Sequence, residues 1–181
     1  FTRMPNELGT MDTFWRHSVY TGLLARARAV RANVLHPERL FVSGLMHDIG
    51  SLVLYNQRPD AMRDILLVAE GDEEVLYQAE LDAFSLSHAT VAGYLMEQWQ
   101  LPEELIDAVT WHHQPERAEK ARMEAHILYL ANHMVNESEQ GNFMGSPRAG
   151  IQLPQALLDV IGLQEDELFF AFEEAAEQFP A

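Results

Sequence analysis

The sequence predicts an all-α fold, arranged as a single-domain multi-helical bundle. Apolar residues recur at helical spacing, as Trp15, Val19 and Leu23 do in the first long segment. Proline, glycine and capping residues separate the periodic segments at intervals typical of helices. The apolar run 52–55 could form a strand, but no comparable run lies nearby to pair with it. We therefore interpret that run as a further helical turn.

The length of the chain indicates one domain, because 181 residues can bury one sizeable hydrophobic core. We expect residues 1–181 to form that domain. The sequence starts at Phe1 without a methionine, so we expect it to be a fragment of a longer protein. Residues 1–11 contain Pro5 and Gly9 and are predicted to be an irregular lead-in.

Two helices are predicted in the first third of the chain. Asp12 is a good capping residue for a helix over 13–32. Pro37 suits the first turn of a second helix over 37–49, and Gly50 is expected to end it. A third helix should start at a cap provided by Asp60, run to 69 and end at Gly71.

Four more helices are predicted before residue 136. One covers 73–84, and Ser87 caps the next, which carries His88 and Trp99. Pro102 opens a helix that reaches 113, where Pro115 prevents much continuation, and another covers 123–135. Residues 135–181 are expected to form a Gly-, Pro- and Ser-rich loop at 141–154 and short helices at 155–161 and 166–178.

The charge of the chain argues against two classes of partner. The formal net charge is −16, from 28 acidic and 12 basic residues. Nucleic acids and anionic membranes are bound mainly through clustered Lys and Arg, so both are disfavoured as partners. The chain has no cysteine, which excludes disulfides and thiolate metal sites and favours a reducing compartment. No apolar run is long enough to predict a membrane span.

The motif at the centre of the functional prediction is His47-Asp48, which ends in Ile49-Gly50. A neutral imidazole and a carboxylate are both ligand types for zinc, iron or manganese. An aspartate on a largely apolar segment is costly unless a cation or a hydrogen-bond donor meets it. The alternative is a helix end at which Asp48 faces water and His47 is a satisfied core residue.

The histidines suggest that a metal site could be assembled from separate helices. The chain has eight, without a local signature such as HExxH. Five of them lie near predicted helix ends, which can gather around one pocket, and Asp48 is the candidate bridging carboxylate. The candidate ligands are His17, His47, Asp48, His88, His112 and His113. The other three histidines, at positions 36, 126 and 133, are explained by capping or packing.

His112 and His113 raise a geometric question. Adjacent residues on a helix point about 100° apart, so they would not easily bind one ion if the helix continued through both. Either the helix frays before them, or the two histidines have different partners.

An ordered set of short motifs resembles the HDOD domain. The motifs are FWRHS at 14–18, HDIG at 47–50, SHA at 87–89, LPEE at 101–104 and WHHQP at 111–115. HDOD domains are relatives of the HD-domain metal phosphohydrolases, which include the HD-GYP cyclic-dinucleotide phosphodiesterases. The resemblance covers about 13–134 and corresponds to the C-terminal, HD-like part of an HDOD domain, whose further helical half would precede it.

The resemblance implies that the six candidate residues are metal ligands, for Fe, Mn, Zn or Ni. Two positions depart from the enzymes. The lysine that commonly follows HDIG in those enzymes, where it can contact phosphate, is replaced by Ser51. The aspartate on a later helix that completes their metal set is replaced by Asn132. An amide oxygen is a weaker ligand than a carboxylate. The GYP segment is also missing after His113.

These departures favour a non-catalytic module over an enzyme. The resemblance implies a cytoplasmic, bacterial signal-transduction domain of the kind joined to response-regulator receivers, with a vestigial metal site. Its partners would be proteins, with neither nucleic acid nor membrane, and a homodimer stays open. We expect the loop 141–154 and the Phe-rich helix 166–178 to be contact surfaces. The alternative is a metal-dependent phosphodiesterase or phosphatase.

Overall fold

The computed structural model describes residues 10–136, and every regular element in this range is helical. The elements are α1 (Met11–Arg31), α2 (Glu38–Met46), α3 (Ile49–Gln57), α4 (Pro59–Ala69), α5 (Glu73–Phe84), α6 (His88–Gln98), α7 (Glu103–Thr110), a 3₁₀ helix (Pro115–Arg117) and α8 (Arg122–Asn136). The all-α prediction is confirmed. The predicted lead-in, the loop 141–154 and the helices 155–161 and 166–178 lie outside the described residues.

The first helix begins two residues earlier than predicted. Its N-cap is Thr10, not Asp12, because Thr10 and Thr13 form a capping box in which each side chain bonds the other's backbone N–H. Asp12 instead lies in the first turn, where its charge is favourable beside the positive end of the helix dipole. The prediction thus located the start of the helix to within two residues and assigned the cap to the wrong residue.

The prediction of one continuous helix over 37–49 is wrong. The chain forms two helices here, α2 and α3, with a break at His47 and Asp48. Asp48 has φ −98° and ψ 5°, and α3 starts at the next residue. Gly50 is inside α3 and does not end a helix. A Cβ atom at Gly50 would lie 2.0 Å from the carbonyl oxygen of His88, so this glycine permits the close packing of α3 on α6.

The turn between α4 and α5 uses two residues with positive φ. Glu70 has φ 47° and Gly71 has φ 82°, so Gly71 follows the helix end as predicted. Asp60 is not the cap of α4, because Pro59 already occupies its first turn. The range of α5 matches the prediction, and Asp72 caps it by accepting from two backbone N–H groups.

The helix before the His112-His113 pair ends earlier than predicted, at Thr110. The two histidines therefore lie in a turn before the 3₁₀ helix, and the geometric limit on adjacent helical residues does not apply to them. Ser87 caps α6 as predicted by accepting from the backbone of Thr90, which fixes His88 as the first residue of that helix.

Helix packing brings the predicted ligand positions together. α1 packs against α2 and α8, α3 against α6, and α6 against α7. At the α1–α2 crossing a Cβ on Gly44 would lie 2.4 Å from the Cα of Gly22, so two glycines allow the backbones to touch. Large buried side chains such as Phe14, Leu24 and Leu52 belong to the hydrophobic core of the bundle. Burying each of them contributes roughly 1.5–3 kcal/mol.

Among the described helices, none is both long enough and apolar enough to span a bilayer.

Candidate metal centre

The six predicted site residues converge in the interior of the bundle. His17 comes from α1, His47 and Asp48 from the α2–α3 break, His88 from the start of α6, and His112 and His113 from the turn after α7. All six are buried, and Asp48 is the most exposed at 9%. Their role as metal ligands stays a prediction, but their proximity follows from the fold.

The side chains form two groups. The Asp48 group contains His17, His47 and Asp48, and the triple-histidine group contains His88, His112 and His113. Within each group, the ligand-type atoms lie within 4.8 Å of one another. Either group could therefore surround a single ion.

Asp48 lies between the two groups. Its Oδ2 atom is 3.2 Å from Nε2 of His47 and 3.5 Å from Nε2 of His17. Its Oδ1 atom is 3.5 Å from Nε2 of His88, in the other group. A carboxylate whose two oxygens face different sets of imidazoles has the arrangement expected of a bridging ligand in a two-metal centre.

The imidazole nitrogens are also spaced like ligands. Nε2 of His17 is 3.3 Å from Nε2 of His47, and Nε2 of His88 is 3.0 Å from Nε2 of His113. Two nitrogens bound to one ion at about 2.0–2.1 Å each would be separated by roughly 3.0–3.4 Å. The observed separations fit that range, although a shared proton would produce similar distances.

Backbone carbonyls fix the orientation of two histidines. Nδ1 of His47 is 2.7 Å from the carbonyl oxygen of Gly44, and Nδ1 of His112 is 2.7 Å from that of Val109. Because a carbonyl oxygen only accepts, each Nδ1 carries a proton, and in the neutral form of the ring Nε2 has the lone pair. Within the described part of the chain, Nε2 of the fully buried His112 has no hydrogen-bond partner. A buried lone pair of this kind fits a metal ion.

Glu80 orients His88 and was missed by the sequence analysis. Its Oε2 atom accepts from the backbone N–H and from Nδ1 of His88, both at 2.7 Å. Glu80 is 0% exposed and lies on the buried face of α5 with Leu76 and Tyr77. An acidic residue at helical spacing from two buried residues was the signal that could have identified it. A carboxylate behind a histidine is a common outer partner of metal ligands.

The electrostatics of the Asp48 group favour a negatively charged Asp48 and a positively charged His47. Burial raises the pKa of Asp48, but His47, His88 and His17 outweigh it, and the net pKa is well below the usual value. Burial likewise opposes protonation of His47, yet the Asp48 carboxylate raises the pKa of that imidazole. Asp48 is therefore an anion at neutral pH, as a bridging ligand must be.

The triple-histidine group divides into one basic and two non-basic imidazoles. Burial disfavours protonation of His88, but the Glu80 carboxylate outweighs it and raises the pKa to about 9. Burial and the neighbouring charged imidazoles lower the pKa of His112 to about 3. The pKa of His113 is also well below its usual value, because of burial and His112. His112 and His113 are thus in the neutral form that binds metal.

The two departures from the enzyme pattern lie close to these groups. Ser51 is 5% exposed, and its backbone N–H donates to the carbonyl of Asp48 at 2.9 Å. Asn132, on α8, is 2% exposed, and its Nδ2 donates to Oε2 of Glu73 at 2.7 Å. Burial and Asp48 raise the pKa of Glu73 to about 7. Glu73 is a second acidic residue that the sequence analysis missed.

A cavity of about 400 Å³ opens beside the triple-histidine group. His113 and Asn132 line it, together with three acidic residues at the start of α5, namely Asp72, Glu73 and Glu74. Among the described residues that line the cavity, none is Lys or Arg. The surroundings are therefore suited to cations or neutral polar groups and poorly suited to phosphate.

The three remaining histidines lie outside the two groups. His36 is exposed near Glu38, His126 is 2.7 Å from the carbonyl oxygen of Arg122, and His133 stacks on Tyr129. His133 also lines the cavity. None of the three belongs to either group, and leaving them out of the ligand set stays a prediction.

The residues present fit one or two divalent ions. The Asp48 and triple-histidine groups offer nitrogen and oxygen donors, without thiolates, which suits Fe, Mn, Zn or Ni. Bound ions would act as Lewis acids and would lower the pKa of a bound water. The protein's own contribution is to bond Nδ1 of His47, His88 and His112, which orients these rings, and to exclude bulk water by burial.

Three solved structures share this fold. A protein from Marinobacter aquaeolei VT8, provisionally described as a signal transduction protein, matches with TM-score 0.75 and 21% identity over 91% of this chain and 36% of its own. A provisionally assigned phosphohydrolase from Shewanella amazonensis SB2B matches with TM-score 0.73 and 19% identity, over 98% and 63%. The MmoQ response regulator of Methylococcus capsulatus str. Bath matches with TM-score 0.70 and 23% identity, over 92% and 63%.

This chain thus spans between 36% and 63% of the length of those proteins. At these identities the likeness establishes the fold and leaves activity open. The family model of the HDOD domain matches residues 1–115 of the 181, a range that contains His17, His47, Asp48, His88 and the His112-His113 pair. The chain belongs to the HDOD domain family.

Proposed function

We propose that this chain is a regulatory domain of a bacterial signalling protein that acts by contacting another protein. In this proposal the buried centre binds divalent metal and does not turn over a phosphoester. Location in the cytoplasm and the absence of nucleic-acid and membrane partners belong to the same proposal. The supporting similarities are to proteins described in terms of signal transduction and response regulation.

The acidic cavity supports the proposal that the centre does not turn over a phosphoester. A phosphodiester approaching the triple-histidine group would pass Asp72, Glu73 and Glu74 without meeting a Lys or Arg among the described lining residues. Ser51 stands where the enzymes have a phosphate-facing lysine, and it is buried. Phosphoryl transfer depends on cationic groups that neutralise the developing charge. Bound ions would have to supply all of that stabilisation.

Exposed apolar side chains on α4 support the protein-contact part. Leu67 is 69% exposed and Val68 is 67% exposed, and the two are adjacent on the helix. Neighbouring exposed apolar residues are typical of contact surfaces between proteins. The contact surfaces predicted from the sequence, 141–154 and 166–178, lie outside the described residues.

The alternative function is that of a metal-dependent phosphohydrolase. It is favoured by the convergence of the Asp48 and triple-histidine groups around a bridging carboxylate. A bridging water activated by two ions would be the nucleophile in such an enzyme.

Turnover assays separate the two functions. Protein loaded with Mn²⁺ or Fe²⁺ is incubated with cyclic dinucleotides and with bis(p-nitrophenyl) phosphate. We expect a rate equal to that of Asp48→Asn, because the acidic cavity repels both substrates. Turnover by the wild-type protein that His47→Ala and Asp48→Asn both abolish would overturn the non-catalytic proposal.

Photo-crosslinking tests the contact with a partner. A photoreactive amino acid at position 67 is compared in cells with the same group at Asp82, an exposed position on α5. We expect an adduct with another protein from position 67 and none from position 82. An adduct with a second copy of this chain would identify a homodimer, and equal or absent adducts at both positions would contradict a contact through α4.

A further inference from the structure

Asn132 is placed so that it cannot act as the ligand its position suggests. Its Nδ2 donates to Oε2 of Glu73 at 2.7 Å, and its Oδ1 accepts from Nδ2 of Asn136 at 3.2 Å. A carboxylate oxygen only accepts, so the amino end of Asn132 must face Glu73. Both ends of the amide are therefore engaged. Asn132 is 2% exposed, and this arrangement is part of the packed interior.

The backbone holds Glu73 firmly at the mouth of the centre. Glu73 is the first residue of α5, and the cap formed by Asp72 fixes the start of that helix through the backbone N–H groups of Glu74 and Val75. The preceding turn, with positive φ at Glu70 and Gly71, reverses the chain direction after α4. A carboxylate at a helix N-terminus is favoured by the helix dipole. The cap fixes the backbone of Glu73, while its carboxylate is outside the donor sets that lie within 4.8 Å and must turn towards the imidazoles to bind the same ion.

The charge balance of the centre calls for a further carboxylate. The two groups contain imidazoles and a single carboxylate, that of Asp48. Two divalent ions among neutral imidazoles would leave a large uncompensated positive charge in a buried pocket. Glu73 lines the same cavity as His113 and faces Asn132. Glu80 already bonds Nδ1 of His88 from behind the ring, so Glu73, bonded to Asn132, is the acidic residue that could add charge from the cavity side.

We propose that Glu73 supplies to the triple-histidine group the carboxylate that position 132 lacks, and that Asn132 is the positioning residue that holds it. The carboxylate has thus moved from α8 to the start of α5. This inference rests on the metal centre included in the proposed function. It concerns metal binding, and it holds whether or not the bound ions support catalysis.

Metal affinity of matched variants tests the inference. Metal-free protein is titrated with Mn²⁺, and binding is followed by calorimetry, by elemental analysis and by the electron paramagnetic resonance signal of free Mn²⁺. We expect the wild-type protein to bind one ion at each group. We call the ion at the triple-histidine group the second ion. We expect Glu73→Gln to weaken binding of the second ion by about tenfold or more, in line with the loss of a tuned carboxylate. Glu74→Gln is the matched control, because Glu74 is the exposed neighbour that lines the same cavity.

A rescue variant keeps the test independent of folding. In the Glu73→Gln background, Asn132→Asp returns a carboxylate to α8, and we expect it to restore most of the lost affinity. Asn132→Ala alone should weaken binding of the second ion, because it removes the hydrogen bond that positions Glu73. Circular dichroism checks that each variant is folded.

Each outcome bears on a different claim. A wild-type protein that binds no Mn²⁺ overturns the proposed metal centre, and the role of Glu73 with it. A wild-type protein that binds two ions while Glu73→Gln behaves like Glu74→Gln overturns the role of Glu73 alone. Loss of affinity in Glu73→Gln without rescue by Asn132→Asp contradicts the transfer of the carboxylate between the two helices.

Discussion

The Asp48 group and the triple-histidine group differ in the source of their negative charge. The Asp48 group contains its own anion, which lies 3.2 Å and 3.5 Å from its two imidazoles. The triple-histidine group contains only neutral-ligand types and takes its negative charge from neighbours. Glu80 is bonded to Nδ1 of His88, and Asp48 faces Nε2 of the same ring. The comparison indicates that the first group can bind an ion alone, whereas the second depends on its surroundings.

The two groups also differ in how the fold positions them. His17 and His47 meet because α1 and α2 cross closely at Gly22 and Gly44. His112 and His113 lie in a turn, where His113 stacks on Tyr77 at 4.7 Å between ring centroids. The Asp48 group is thus positioned mainly by a close helix crossing, and His112 and His113 by a turn with ring stacking and a hydrogen bond to Val109. Substitutions should therefore affect the groups unequally.

The largest expected effect comes from Gly50→Ala, which acts on both groups at once. The added Cβ would lie 2.0 Å from the carbonyl oxygen of His88 and 2.7 Å from the backbone nitrogen of Ala92. Backbone atoms cannot rotate away, so α3 and α6 must separate. We expect the free energy of unfolding to fall by about 3 kcal/mol or more and metal binding to be lost at both groups. Urea unfolding and elemental analysis measure the two effects.

Gly93→Ala is the matched control for this substitution. Its Cβ would meet Oγ1 of Thr110 at 2.1 Å, but this atom belongs to a side chain that can rotate. We expect a much smaller loss of stability and retention of both ions. Equal effects of the two substitutions would contradict the idea that the α3–α6 contact joins the groups.

The next largest effect is expected for Asp48→Asn, which tests whether the two groups share a ligand. Asp48 contacts imidazoles of both groups, so its loss should weaken both ions. We expect a decrease in Mn²⁺ affinity beyond the roughly 10–100-fold seen when an outer partner of a ligand is removed. Asp82→Asn, on the exposed face of α5, serves as the control. If the second ion binds Asp48→Asn unchanged, the groups are independent and Asp48 is no bridge.

Most helices and the proximity of the six candidate residues could be predicted from the sequence, whereas the role of those residues as ligands stays a prediction. Helical periodicity and caps such as Ser87 predicted most helices, and the ordered motifs predicted the convergence of distant histidines. The break at Asp48 was not predicted, because nothing local distinguishes a glycine that ends a helix from one that admits a neighbouring helix. Gly50 has its role only through the carbonyl of His88, which lies 38 positions later in the sequence.

The acidic residues around the centre were missed for a related reason. Glu73 at the start of a helix is an ordinary surface pattern, and its significance comes from Asn132, with which it shares a hydrogen bond across a sequence separation of 59. Glu80 gave a clearer signal, since it lies on the buried face of α5. Outer partners of ligands are set by tertiary packing, so motifs indicate them poorly.

The most selective effect is expected for Glu80→Gln, which should weaken ion binding at the triple-histidine group and leave ion binding at the Asp48 group unchanged. A glutamine can keep the hydrogen bond to the His88 backbone but lacks the charge that makes the imidazole a stronger ligand. We expect the second ion to bind about 10–100-fold more weakly, while the first binds as in the wild-type protein. Mn²⁺ titration measures both. Equal weakening of the two ions would show that the groups are electrostatically inseparable.

The metal-free protein offers an independent check on Glu80→Gln through pH. Burial opposes protonation of His88, but Glu80 outweighs it and raises the pKa from the usual 6.5 to about 9, so protonated His88 stabilises the folded state. That contribution is complete below the unfolded pKa and is lost as the pH rises through about 9. The wild-type protein should therefore exceed Glu80→Gln in stability most clearly at or below pH 6.5, with the difference shrinking towards pH 9. Urea unfolding across this range measures it, and a difference that grew with pH would contradict the assignment of His88 as the charged member of the triple-histidine group.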